Sequence, residues 1–159
     1  MKNKKYSFIL ILLCLSVLAC GCGNKKNQDD NNISLKEVAQ KLAENGNIPS
    51  PQYLDLNQKE NAEKYLLATE DIEEGIAVNS QSMEQADKII LVKANDTKTV
   101  QDVERSLGAV LVGLTTTWEN NDTENKKVEE HVLKTKDKYV LLYVGEKNEE
   151  AEKIFDYSF

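Results

Sequence analysis

The sequence predicts an α+β fold: an antiparallel sheet made of two β-hairpins, each followed by a helix, with further helices at the N-terminal side. Three observations lead there. "KIILVKA" (88–94) is apolar at successive positions, which suits a strand buried on both faces. "VEEHVLK" and "YVLLYVG" flank "TKDK", the pattern of a hairpin. Between them Val100, Val103, Leu107, Val110, Leu111, Leu114 and Trp118 recur at helical spacing along one stripe.

The first element of the folded part is "SLKEVAQKLAENG". Ser34 and Glu37 have capping-box spacing, Leu35, Val38, Ala39 and Leu42 lie on one helix face, and Gly46 is placed to end the helix. "NIPSPQ", with both prolines of the chain, then reads as a break. A weaker helix is expected through "NQKENAEKYLL", with Ala62, Tyr65 and Leu66 on a common side.

"GIAVNS" is a short strand that pairs with "KIILVKA". Thr99 and Asp102 open the striped helix, in which Gly108 and Gly113 each weaken the helix by up to about 1 kcal/mol relative to Ala. "ENNDTENKK" reads as a polar turn before the second hairpin. "EEAEKIFDYSF" closes the chain as a helix presenting Ala151, Ile154 and Phe155. The helices are expected to cover one side of the sheet. A shift of 50 residues aligns Asp87–Val92 with Asp137–Leu142, which suggests two equivalent central strands.

The N-terminal residues have a different character. Lys2, Lys4 and Lys5 precede an apolar run from Tyr6 to Leu18, followed by small residues, the order of an export signal. At 13 residues the run is shorter than the roughly 20 of a membrane-spanning helix. Residues 1–19 are therefore expected to be a signal peptide, 20–33 a polar tether, and 34–159 a single α+β domain. The tether, "GCGNKKNQDDNNI" from Gly21, has no large apolar residue before Ile33 and lacks the spacing, Gly and closing Glu of a calcium loop.

Val17, Leu18, Ala19 and Cys20 resemble the lipobox of bacterial lipoproteins. The resemblance implies that Cys20 receives a diacylglyceryl thioether and becomes the first residue of the mature chain, at the outer face of the cell membrane. Cys22 fits the pattern less well, because Ala19 would fall where an aliphatic residue belongs, and Cys14 would leave with the signal. With Cys20 alkylated, the C-x-C pair cannot act as a metal or redox site. Two acyl chains anchor stably where one does not.

Loss of Lys2, Lys4 and Lys5 reduces the 20 basic side chains to 17 against 27 acidic ones, a formal charge of −10. Such a body is repelled by nucleic acid and by anionic lipid. His131, the single histidine, is expected on a strand, where Glu130 and His131 point to opposite faces and cannot share a metal ion without a bulge. G-x-S-x-G, G-x-G-x-x-G and P-loop patterns are absent from the sequence. The adjacent acids Glu73–Glu74 and Glu149–Glu150 do not have the facing arrangement of a glycosidase pair.

"ADKIILVKAND" followed by a helix, and "EEHVLKTKDKYVLLYVG" near the end, together with the lipobox and tether, resemble a family of small Gram-positive lipoproteins catalogued as domain of unknown function four-three-five-eight. The resemblance runs from about Leu35 to Ile154. It is clearest at Ala86–Asp87 and at Lys138–Tyr139–Val140. It implies a lipoprotein domain and brings no activity, cofactor, metal or catalytic residue. The expected function is a non-enzymatic binding or interaction module with an envelope protein or peptide as partner and no nucleic acid. The alternative is an exported hydrolase with a carboxylate site that the sequence does not reveal.

Overall fold

A computed structural model describes residues 34–159. The expected signal peptide, Cys14, Cys20, Cys22 and the tether lie outside the described residues. Five strands form one antiparallel sheet in the order β1-β2-β3-β5-β4: β1 Pro51–Asp55, β2 Ile72–Ser80, β3 Lys88–Ala94, β4 Val132–Lys136 and β5 Tyr139–Val144. The helices are α1 Leu35–Asn45, α2 Lys59–Glu63, α3 Val100–Trp118, α4 Asp122–Glu129 and α5 Asn148–Ser158, with a 3₁₀ turn at Thr69–Asp71.

Both expected hairpins form. β2 pairs with β3 (Ala77 opposite Ile90), and β4 with β5, where Lys136 faces Tyr139 across a turn whose Asp137 is left-handed. β3 sits at the centre of the sheet and pairs with β5, Leu91 opposite Leu141. The two segments related by the 50-residue shift are thus adjacent inner strands. Their leading aspartates differ in role: Asp87 is buried, whereas Asp137 makes the turn.

Helices cover both faces of the sheet, not one. Strand side chains alternate between faces, so Ile90, Val92, Val140 and Leu142 enter one core with Ala62, Val103, Leu107, Leu111 and Val128 from α2, α3 and α4. Ile89, Leu91, Leu141 and Tyr143 enter the other with Leu35, Val38, Leu42, Ala151 and Phe155 from α1 and α5. Inner strands that are apolar at every position need cover on each side. That requirement overrides the one-sided arrangement.

Several local expectations are also corrected. Ser34 precedes α1 but its hydroxyl makes no capping bond. The helix ends in a Schellman motif: the Ile48 N–H donates to the Ala43 carbonyl and the Asn47 N–H to that of Glu44, with Asn47, not Gly46, left-handed at φ 53°. "PQYLD" is edge strand β1, which tolerates Pro51 because its missing N–H falls at the first position. α2 is a short helix after which Leu66 turns left-handed and outward, and Leu67 enters the core in its place. α3 matches its predicted stripe, although Val110, Leu114 and Trp118 are half-buried.

The largest departure is α4. "NDTENKKVE" is helical rather than a turn leading into a strand. The Asn121 side chain caps it by accepting the Glu124 N–H at 3.3 Å, and Val128 packs into the first core.

Candidate functional site

Asp87 stands immediately before β3, and its carbonyl accepts the Ser80 N–H that closes the β2–β3 hairpin. Its carboxylate is buried and faces α4. Lys127 Nζ lies 3.0 Å from Asp87 Oδ2 and 3.1 Å from Glu124 Oε1. The other Glu124 oxygen accepts the Ala86 backbone N–H at 2.7 Å. Glu124 and Lys127 are one helical turn apart on α4, so one face of that helix carries both groups to the start of the central strand.

Side-chain exposures of 3% for Asp87, 9% for Glu124 and 14% for Lys127 keep this cluster largely out of water. Burial pushes the Lys127 ammonium down, but hydrogen bonds and charges from Asp87 and Glu124 outweigh it and leave its pKa raised. Removing one partner would leave uncompensated charge in a poorly solvated place, a change that typically costs about 3–5 kcal/mol. Beside the cluster, a cleft of about 280 Å³ is bordered by Lys127, Gly145, Glu146 and Asn148.

Tyr143 approaches the same region from the second core. Its hydroxyl donates to the Glu146 carbonyl. A Cβ on Gly145 would lie 3.0 Å from that hydroxyl and 3.3 Å from Asp87 Oδ1, so glycine permits the close packing of strand end, phenol and carboxylate. Burial, then the charges of Asp87, Glu146 and Glu150, raise the pKa of the phenol well above that of an exposed tyrosine.

A second region lies at the β1 edge. The Leu56 N–H donates to the Gly75 carbonyl at 2.9 Å. By the alternation of an antiparallel ladder, Leu54 and Gln52 also turn their polar backbone groups toward β2, whereas Tyr53 turns its N–H and carbonyl away from the sheet. A cleft of about 480 Å³ borders this edge, with Lys36, Tyr53, Asp55, Asn57, Glu74 and Ile76 in its wall. The opposite edge, β4, is flanked by α3 and α5, and Lys134 ties it to Glu152 and Asp156 of α5.

The sequence-highlighted acids and histidine do not converge on either region as a catalytic group. His131 lies in the link between α4 and β4, not on a strand; it is half-buried, with Nδ1 2.7 Å from the Val128 carbonyl. Glu73 pairs with Lys93 at 2.6 Å, and Glu149 and Glu150 occupy the exposed first turn of α5. Among the described residues no helix is long and apolar enough to cross a membrane.

A family described as Domain of unknown function (DUF4358) matches residues 50–145. The chain belongs to this family. No curated protein and no solved structure matches it. The DUF4358 match is narrower than the resemblance read from the sequence: it takes in all five strands with α2, α3 and α4, and leaves α1 and α5 outside. The Ala86–Asp87 pair, Glu124, Lys127, Tyr143 and Gly145 all fall within the DUF4358 range.

Proposed function

We propose that this DUF4358 protein is a lipid-anchored extracytoplasmic module, held to the membrane through Cys20, that binds an envelope protein non-enzymatically by pairing an extended segment of it with β1. The anchor rests on the order "VLAC" after a short apolar run. The observation that carries the binding mode is the outward backbone of Tyr53 beside the β1 cleft. A strand added there would take main-chain hydrogen bonds from Tyr53, while the cleft wall reads alternate side chains. Helices already fill both sheet faces, which makes an edge the accessible part of the ladder.

A photoreactive residue at exposed Gln52, introduced into the full chain in its native membrane, tests this reading. The expected adduct joins Gln52 to an extended segment of one envelope protein and is lost in Tyr53→Pro, which deletes the outward N–H without removing a ladder bond. Retention of the same adduct in a folded Tyr53→Pro protein would refute edge pairing.

A further inference from the structure

We propose that Asp87 and Lys127 become joined by an intramolecular amide bond, with Glu124 relaying the protons. The starting arrangement is an amine nitrogen 3.0 Å from a carboxyl oxygen, with a second carboxylate 3.1 Å from the same nitrogen. All three side chains are largely buried, and two elements hold them: the start of β3 holds Asp87, and one face of α4 holds Glu124 and Lys127. Groups held in this way react as though at very high concentration, because the entropy of bringing them together has already been lost on folding.

The step balances without any outside reactant. Lys127 starts as an ammonium and Asp87 as a carboxylate. Glu124 accepts one ammonium proton, freeing the nitrogen lone pair, and passes that proton to an Asp87 carboxyl oxygen. Nζ attacks Asp87 Cγ, the Cγ–N bond forms, and the Cγ–O bond breaks. The departing oxygen takes the relayed proton and one more from nitrogen, and leaves as water. Glu124 ends as the carboxylate it began as, and nothing is oxidised or reduced. The Asp87 and Lys127 charges are replaced by a neutral amide, Glu124 keeps the Ala86 N–H as its partner, and the adjoining cleft gives the water a way out.

Asp87 is the acceptor rather than Glu124 because the Glu124 carboxylate is also held by the Ala86 N–H, where it remains available as the proton relay. The bond would close a loop from the start of the central strand to the helix that covers it. A link of this kind survives denaturation, which an ion pair does not.

Peptide mapping of the full chain, expressed in a bacterium and digested with trypsin after denaturation, decides the matter. An amide at Lys127 blocks cleavage there, so the expected product is a branched peptide joining residues 65–88 to 127–134, with 18 Da less than the sum of its two parts. Lys127→Arg and Asp87→Ala should abolish the branch, and Glu124→Gln should slow or abolish it. Complete cleavage after Lys127 in the wild-type chain, giving only the linear 128–134 peptide, would overturn the proposal. So would a branch to the peptide containing Glu124, or a loss of 18 Da confined to one linear peptide. An undiminished rate of branching in Glu124→Gln would refute the relay.

Discussion

Gly46 and Tyr143 meet so closely that no side chain fits between them: a Cβ on Gly46 would overlap the Tyr143 hydroxyl. Gly46 is not there for a left-handed turn, since its φ is −74°. Gly46→Ala should therefore destabilise the domain by about 1–3 kcal/mol through overpacking, although alanine suits that backbone. Tyr143→Phe removes the obstructing oxygen and also the bond to the Glu146 carbonyl. The double variant should lose less stability than the two single changes added together. Urea unfolding of the three variants measures this coupling; strict additivity would show that the alanine is accommodated elsewhere.

The same tyrosine gives the domain an alkaline dependence. Folding raises its phenol pKa, through burial first and then the nearby carboxylates, whereas in the unfolded chain it titrates near 10. The folded state holds the proton more tightly. The resulting stabilisation is complete below about pH 10 and is lost as pH rises toward the folded pKa. Urea midpoints between pH 8 and 11 should fall more steeply for the wild type than for Tyr143→Phe. Parallel curves would count against a buried, proton-holding phenol.

Gly108 and Gly113 of α3 should behave in the opposite way to Gly46. A Cβ at either position meets no atom within 4 Å, so only the intrinsic penalty of glycine in a helix remains. Gly108→Ala and Gly113→Ala should each stabilise the domain by up to about 1 kcal/mol. Thermal or urea denaturation reads the gain directly, and a loss of stability in either variant would contradict the open surroundings of that glycine.

Replacement of Cys20 should end incorporation of labelled palmitate and either release the protein or leave its precursor uncut. Labelling of Cys20→Ala alongside loss of label in Cys22→Ala would move the anchor two residues on. The expectation follows from the aliphatic Val17 and small Ala19 preceding Cys20.

How much of this was legible in the sequence differs by element. The inner strands announce themselves, because Ile89–Val92 and Val140–Leu142 leave no polar face. That same continuity implied two cores, and it conflicts with helices on one side only. β1 is hidden by Pro49 and Pro51, which read as a break although an edge strand accepts Pro51 at its start. α4 is hidden because Val128 is its one apolar anchor in the core; its Asn121 cap and the Lys127 contact to Asp87 supply what a hydrophobic stripe would otherwise provide. The Asp87 cluster could not be found by local reading. Ala86–Asp87 was visible as a motif, but its partners lie 38 and 40 positions away, and an ion pair between distant segments leaves no periodicity.

The second core carries a consequence for the order in which the molecule is completed. Its cover comes from α1 and α5, at opposite ends of the described chain and both outside the DUF4358 range. A chain made from its N-terminus presents α1 before the five strands and α5 after them. Until Ala151 and Phe155 emerge, the side of the sheet bearing Leu91, Leu141 and Tyr143 remains partly bare, even though the opposite core is ready to close. α5 therefore acts as a latch on that side of the sheet, closing the second core only after all five strands have been made.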